Sequence, residues 1–580
     1  MNNLNIFFLI KILWSHIRTD RRKLFFYYLL LTVISAFTEI LTLGSIIPFL
    51  TIFINPEILM SNERILPFLE IFKITNTNQL FILATSIFCF FVIFSGFIRI
   101  VLLKFTVDIS VKCGSDLSVN IYQKTLNQSY LSHIKTNSSK IIAGISQKLN
   151  DVINGVLWTF MNLLTSLIIS ILIIIFLIYL KPLIAIICFI FFGTFYIAVT
   201  YFVSKKLKHN SNKIDIEQTQ VVKSLQEGLG NIRDVLLGGT QKLYVNMYKN
   251  SDYPLRKSIG NIQYISVLPK YIIESFGLVM LALFAYFFSY GDSNFVNQIP
   301  ILGALALGAQ KLLPSFQLIY YSFSRILGTH SSLIEILNLL NQKNINTEEK
   351  FLKEIIFQKH IKLKNIYFSY DTKDKSILRN INFKIIKGSI FGIFGKSGAG
   401  KSTLIDIIAG LLSPKEGSII VDEGYFKSLN HKSWQKKISY VPQNIFLSQS
   451  SFLENIAFGI KSNDINLDKV IEVSKKAQIY DYINSTKNQF ETVISESGFD
   501  LSGGQRQRIA IARALYSDPE ILILDEFTSL LDFDTENKLM NMVKLLKDKM
   551  TIIIVSHKKS TLDFCDNLIL IESGKITTID

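Results

Sequence analysis

The sequence predicts two domains of different class in one chain. The first is an N-terminal all-α polytopic membrane domain, six transmembrane helices extended into the cytosol. The second is a C-terminal α/β domain built on a phosphate-binding loop. Three observations predict this. Hydrophobic residues make up 49% of the 580 residues with a mean hydropathy of +0.34, and the apolar excess is confined to the first half. The apolar stretches there are long enough to cross hydrocarbon and are separated by two long basic loops. In the polar second half, a strand-like run, Ser389 to Phe394, leads into the glycine-rich Gly395–Thr403 and then a helix-like run, Leu404 to Leu412.

In chain order, residues 4–23 mix Phe7, Phe8, Leu9, Ile12, Leu13 and Trp14 with Lys11, Arg18, Arg21, Arg22 and Lys23. The segment is too short and too charged to span and reads as an amphipathic helix on the inner face of the bilayer. No removable signal peptide is expected, because no small-residue cleavage site follows a short apolar core. Six spans follow at about 24–54, 80–103, 157–180, 182–204, 264–289 and 298–322. Loop 104–156 carries Lys104, Lys112, Lys124, Lys135, Lys140 and Lys148. Loop 205–263 is richer still, from Lys205, Lys206 and Lys208 to Arg256 and Lys257. The opposite connectors, Lys181-Pro182, the Gly291-Asp292 region and 55–79, are short or less biased. The positive-inside rule then places both termini in the cytoplasm.

A net charge of +16 raises nucleic acid as a partner, but the basic residues sit beside hydrophobic spans, which fits membrane topology better than a polyphosphate partner. Cys89, Cys113, Cys188 and Cys565 show neither pairing nor metal spacing, so no disulfide framework is expected. Helical spacing of apolar residues in Ser138 to Val156 and Glu217 to Val235 predicts that the spans continue as cytosolic helices. They would turn near Tyr130–Thr136 and within 225–245, where a membrane domain can receive force. Segment 63–73 is amphipathic and reads as a helix packed on the spans.

Three cations lie inside predicted spans: Arg99, Lys270 and Lys311. A cation at the bilayer centre costs at least about 2.5 kcal/mol, so each should face a cavity or a partner. Glu39 and Glu274, the latter four residues after Lys270, are the available carboxylates. Three positive charges against two negative ones favour an anionic cargo.

The chain turns polar near 325. The domains are expected at 1–325, a linker at 326–358 that includes Asn341 to Glu354, and 359–580. The run Gly395-Lys396-Ser397-Gly398-Ala399-Gly400-Lys401-Ser402-Thr403 fits G-x-x-x-x-G-K-[ST] at a strand-to-helix junction. Its glycines let backbone N–H groups curl around phosphates, and the helix N-terminus adds partial positive charge. Lys401 would reach the β- and γ-phosphates and Ser402 would ligate Mg²⁺. Downstream come Ile438 to Gln443, a strand ending in Pro-Gln, and then Leu501-Ser502-Gly503-Gly504-Gln505 before an alanine-rich helix. Two buried strands follow, one ending in Asp525-Glu526 and one in Ser556-His557.

In order and spacing these motifs resemble the nucleotide-binding domain of ABC transporters, and the whole chain resembles an ABC exporter half-transporter of type IV. The resemblance implies that Tyr370 stacks on adenine and that residues 395–403 and Asp525 bind ATP and Mg²⁺. It makes Ser402, Gln443 and Asp525 the Mg²⁺ ligands. Glu526 would polarise the attacking water, and His557, Lys401 and Gln443 would complete the catalytic set. Ser502, Gly503, Gly504 and Gln505 would meet the ATP of an opposite subunit, so a homodimer is implied. Two departures stand out: Ser495 and Ser497 replace the usual Gly and Arg before the signature, and Leu530 replaces the usual Ala of Ser529-Leu530-Leu531-Asp532. Neither removes a catalytic group.

Within exporters, the membrane half resembles PglK-type lipid-linked oligosaccharide flippases. The resemblance rests on Thr38-Glu39-Ile40 with Ile47-Pro48-Phe49, on Leu312-Leu313-Pro314-Ser315, and on His330-Ser331-Ser332-Leu333. It implies an ATP-hydrolysing translocase in the inner membrane that moves a polyprenyl-pyrophosphate-linked oligosaccharide outward, with Arg99, Lys270 and Lys311 attracting the pyrophosphate. The alternatives are export of another amphiphile, such as a lipid A-type glycolipid, a drug or a peptide, and an ABC ATPase working without a membrane. The six spans argue against the last.

Overall fold

The computed structural model describes residues 5–54, 76–180, 182–291, 295–342, 355–371, 376–422, 424–425, 431–495, 498, 500–528 and 533–579. The expected outer helix 63–73, Lys181, Asp292, Ser497, most of Asn341 to Glu354 and the Ser529–Asp532 segment lie outside the described residues. The chain divides into two units. One comprises Met1–Gln128 with Lys135–Ile345, the other Ser129–Ile134 with Asn346–Asp580.

The first unit is helical. A short helix, Ile6–His16, precedes long helices at Thr19–Ile54, Thr77–Leu126, Ser138–Leu180, Pro182–Gly230, Gln241–Gly291 and Phe295–Gly328, and His330–Leu340 closes the unit. Each of the six apolar stretches falls inside one of these long helices, and several helices run well past the apolar part. Thr77–Leu126, at 50 residues, extends to about 75 Å, more than twice the hydrocarbon thickness, so its polar C-terminal half extends beyond the bilayer. The helix from Ser138 to Leu180 contains two π-helical turns, Gly144–Lys148 and Ile153–Trp158.

The N-terminal helix buries Ile6, Leu9 and Leu13 in a cluster shared with Leu333, Leu337 and Leu340, while Phe7, Phe8 and Trp14 remain exposed. One face is therefore covered by protein, and the other offers aromatic side chains of the kind that sit at a membrane interface. Deeper in the unit, the fully buried ammonium of Lys148 is held by Asp215 at 2.8 Å and by Glu335. Two carboxylates and the Thr219 hydroxyl at 3.0 Å compensate a cation that burial alone would penalise heavily.

The second unit has two sheets. The first is antiparallel and runs in the order β2 (Leu378–Ile386), β1 (His360–Phe368), β4 (Glu416–Val421), β5 (Gly424–Tyr425). The second runs in the order β10 (Lys575–Ile579), β9 (Asn567–Glu572), β3 (Ile390–Gly395), β8 (Thr551–Val555), β7 (Ile521–Asp525), β6 (Ile438–Val441), parallel except for the β9–β10 hairpin. Strands β7 and β8 are buried at every position, as expected of central parallel strands covered on both faces. Their uninterrupted Ile/Leu/Val runs supply that core, and their C-terminal ends deliver Asp525, Glu526, Ser556 and His557 to one edge. Residues 129–134 of the basic loop belong to this unit, where Leu131 packs against the core between the sheets.

Candidate functional site

The phosphate loop leaves β3 and enters the helix Lys401–Ile408. Gly400 occupies the helix N-cap with φ of 106°, in the left-handed region, and an added Cβ would lie 2.9 Å from Leu378 Cδ2. Both conditions call for glycine. The Lys401 ammonium folds back onto its own loop, donating to the Gly395 carbonyl at 2.8 Å and the Lys396 carbonyl at 3.1 Å. Burial lowers its pKa, opposed by the nearby Glu526 and Asp525 carboxylates. The loop is thus a cup of backbone donors with a partly desolvated ammonium at its rim, suited to a polyphosphate.

The strand ends bring the remaining groups together. Glu526 follows β7 with φ of 47°, its N–H bonded to the Val555 carbonyl at 2.9 Å. A left-handed glutamate carries strain, and strained backbone clusters at functional sites. One Glu526 carboxylate oxygen lies 2.9 Å from His557 Nε2 and the other accepts from Gln443 Nε2 at 2.5 Å. His557 Nε2 is also 3.2 Å from the Lys401 ammonium. Lys401, Gln443, Glu526 and His557, scattered over more than 150 positions of sequence, therefore form one connected cluster.

Asp525, buried at the end of β7, accepts from the Tyr440 hydroxyl at 2.9 Å. Burial raises its pKa, opposed by the Tyr440 bond, with Glu526 adding to the rise. A divalent cation would relieve the crowding of Asp525 and Glu526. The donor set at hand, the Ser402 hydroxyl, the Gln443 amide and the Asp525 carboxylate, is of the hard oxygen type that suits Mg²⁺.

The structure places other expected site residues less directly. Tyr370 presents its hydroxyl 3.2 Å from Thr403 Oγ1 and packs edge-on against Phe368, with ring centroids 5.2 Å apart. It is beside the loop, as an adenine platform requires, although its ring now serves the core between the sheets. Ser502 caps the helix Gly503–Tyr516, its hydroxyl accepting from the Gln505 N–H while the Gln505 side chain accepts from the Ser502 N–H. This capping box orients the N-terminal donors of the signature helix for an anion.

Two residues missed by the sequence reading join the site. Asp406 lies on the phosphate-loop helix, and burial with the neighbouring Asp525 pushes its pKa up to about 6. Tyr440 is raised above the usual tyrosine range by burial and then by Asp525, with smaller contributions from Asp406 and from Tyr130 of the 129–134 segment. Tyr130, itself raised by burial and by Asp406 and Tyr370, links that segment electrostatically to the site. Nothing in the motif spacing marks Asp406. Tyr440 stands in the strand before Gln443 and reads there as an ordinary strand aromatic.

In the first unit, Arg99 and Lys311 converge on one carboxylate. Glu39, 3% exposed, lies 3.1 Å from Arg99 Nε through one oxygen and accepts from the Lys311 ammonium through the other. They line a cavity of about 450 Å³ together with Ser35, Asn162 and Gln310. Lys270 does not join them. It is exposed, with its ammonium 5.9 Å from the centroid of the Tyr271 ring. Of the three cations expected to face a cavity or a partner, Arg99 and Lys311 share this cavity, whereas Lys270 stands on an exposed face of the helix Gln241–Gly291.

Comparison with known proteins agrees with this geometry. The family model described as the ABC transporter transmembrane region matches residues 25–305, and that described as ABC transporter matches residues 378–529. The chain is 30% identical over 379 residues to the ATP-dependent lipid A-core flippases of Escherichia coli (strain K12) and Shigella boydii serotype 4 (strain Sb227), a match covering 64% of this chain and 64% of each relative. It thus spans just under two thirds of the length of these relatives. A solved structure of a bacterial Atm1-family ABC exporter with ATP bound superposes with a TM-score of 0.81 at 20% identity, covering 96% of this chain and 95% of that one, and shows the shared fold.

Proposed function

The chain belongs to the ABC transporter family, joining that family's transmembrane region and nucleotide-binding unit in one polypeptide, and from this premise we propose that it is an ATP-driven lipid exporter. It works as a homodimer in the inner membrane, with both termini cytoplasmic, and moves an anionic amphiphile outward. The finer reading of the cargo is a polyprenyl-pyrophosphate-linked oligosaccharide. The observation that carries the proposal is the convergence of Arg99 and Lys311 on a polar cavity inside the membrane unit, two cations against the single Glu39 carboxylate. Cations inside a membrane span persist where something pairs with them, and the two here carry one more charge than the buried Glu39 supplies.

ATP is held by the phosphate loop and by Lys401, whose ammonium exchanges the Gly395 and Lys396 carbonyls for phosphate oxygens. Tyr370 covers the base. Ser402, Gln443 and Asp525 would hold Mg²⁺, which supplies charge neutralisation at the phosphates. Glu526 orients water toward the γ-phosphate, and His557, already hydrogen-bonding distance from Glu526, contacts the same phosphate. Ser502, Gly503, Gly504 and Gln505 face the ATP of the second subunit, since a signature helix far from its own loop needs a second copy to complete the site. Closure on ATP and reopening after hydrolysis drive alternating access. Segment 129–134, packed within the nucleotide-binding unit, is the mechanical link.

A second reading, a lipid A-type glycolipid as cargo, is supported by the names of the relatives and needs the same anion-binding cations. ATP-dependent translocation in proteoliposomes tests both. A polyprenyl-pyrophosphate glycan and a lipid A-type lipid are offered separately, and reversing Arg99 and Lys311 to glutamate should stop translocation while nucleotide still binds. Unchanged transport in that variant refutes the proposal.

A further inference from the structure

Glu39 is placed unlike an ordinary structural counter-ion. It is held by both cations of the cavity at once, one on each carboxylate oxygen, so the cluster has no cation free of it. The cluster nonetheless carries one net positive charge. One helical turn before Glu39, the fully buried Ser35 hydroxyl lines the same cavity and, among the described residues, has no hydrogen-bond partner. A buried hydroxyl without a partner beside an underneutralised ion cluster marks a place where a further polar group belongs.

We propose that Glu39 is a resident counter-ion that an acidic headgroup must displace: the ligand binds by taking Arg99 and Lys311 from Glu39, and Ser35 is the polar partner that the exchange brings into use. This rests on the reading of the cavity as the cargo site. Two anions cannot both hold the same pair of cations, so Glu39 competes with every ligand and multiplies its apparent affinity by the fraction of sites in which the cations are free. The competition sets specificity. A single carboxylate brings no more charge than Glu39 already supplies and displaces it poorly. A phosphate monoester or a diphosphate brings more negative charge and more acceptor oxygens for the Arg99 fork, and displaces it well. The site therefore selects phosphorylated lipids over fatty acids, and on release Glu39 reclaims the cations, which speeds departure of the headgroup.

The test uses the full-length protein in phosphatidylcholine nanodiscs, titrated with radiolabelled diacylglycerol pyrophosphate and, separately, with stearate. The wild type should bind the pyrophosphate lipid and discriminate against stearate. Glu39→Gln should tighten the pyrophosphate lipid by about tenfold and narrow the discrimination, since the competitor is gone. Glu39→Asp, whose shorter carboxylate cannot span both cations, should fall between the two and serves if the glutamine variant does not fold. Arg99→Met and Lys311→Met should each weaken the pyrophosphate lipid by tenfold or more. Weaker or equal binding in both Glu39 variants, with the two cation variants impaired as expected, overturns the exchange and leaves the cargo site standing. Cation variants that bind like the wild type overturn both.

Discussion

His557 Nε2 lies 2.9 Å from one carboxylate oxygen of Glu526, while the other oxygen is occupied by the Gln443 amide. Each oxygen of the proposed water-orienting group therefore already has one partner, which fixes the carboxylate's orientation and leaves a lone pair on each for water. Glu526→Gln keeps the shape and the hydrogen-bonding capacity but removes the charge that draws a proton from water. The variant should bind ATP with an affinity close to that of the wild type while its turnover falls by about 10²–10⁴-fold. Equilibrium binding of labelled ATP and phosphate release under saturating Mg²⁺ check both halves, and full turnover in the variant would remove Glu526 from this role.

Asp406 gives the second unit a pH-dependent stability. Burial, and then the neighbouring Asp525, push its pKa up to about 6. Between the ordinary carboxylate range and about 6, the folded protein holds a proton that the unfolded chain has released. Its contribution therefore favours folding at lower pH, declines as pH rises toward 6, and is a constant cost above that. Asp406→Asn removes the cost. In nucleotide-free, Mg²⁺-free buffer the variant should be more stable at pH 7.5 by about 1–2 kcal/mol, with the gain shrinking on acidification to pH 4.5. A pH-independent difference in thermal melts would show that the carboxylate does not titrate in this range.

Much of this architecture is legible in the sequence, because the signals are local. The Gly395–Thr403 loop, the apolar strands ending in Asp525-Glu526 and Ser556-His557, and the long apolar stretches each combine composition with position. What stayed hidden depends on partners far along the chain. Lys148 reads as one basic residue of a cytosolic loop, yet it is fully buried because Glu335, 187 residues away, meets it inside the unit. Lys270 and Lys311 look equivalent as intramembrane cations, and only the helix faces that pack decide that Lys311 meets Glu39 while Lys270 stays exposed. Asp406 looks like any polar residue on a helix until β7 places Asp525 beside it.

Asp422 anchors the start of the nucleotide-binding unit. It follows β4 with φ of 54°, and its carboxylate accepts the backbone N–H groups of Gln358 at 2.7 Å, Lys359 at 2.7 Å and His360 at 2.8 Å. Burial acts to raise its pKa, but these three donors and the nearby His360 outweigh it and hold the group below the usual carboxylate range. The stabilisation is present at neutral pH and is lost as pH falls through the depressed value. Asp422→Ala leaves three donors without their acceptor and puts a Cβ without hydrogen-bonding capacity in the left-handed region, for a loss of about 2–3 kcal/mol. Asp422→Asn tolerates that backbone and keeps one acceptor, so it should lose about half as much. Denaturant midpoints at pH 7 rank the three proteins, and equal midpoints would mean that the donors find water instead.

Gly155 tests the packing of the membrane unit. It sits in the π-helical turn Ile153–Trp158, where a Cβ would lie 2.4 Å from Thr329 Cγ2 and 3.2 Å from its hydroxyl oxygen. Thr329 is the residue between the helices Phe295–Gly328 and His330–Leu340, and its hydroxyl is bonded back to the Arg325 carbonyl at 3.0 Å, so it is not free to swing away. Gly155→Ala should therefore overpack this contact and destabilise the detergent-solubilised protein by about 1–3 kcal/mol. Thr329→Ser removes the methyl that clashes while keeping the hydroxyl, so the double variant should recover most of the loss. Thermal stability of the two single variants and the double variant decides the matter. A destabilised Gly155→Ala that Thr329→Ser does not rescue would place the strain in the π turn itself, and a fully stable one would mean that the two helices separate enough at this point to admit a methyl group.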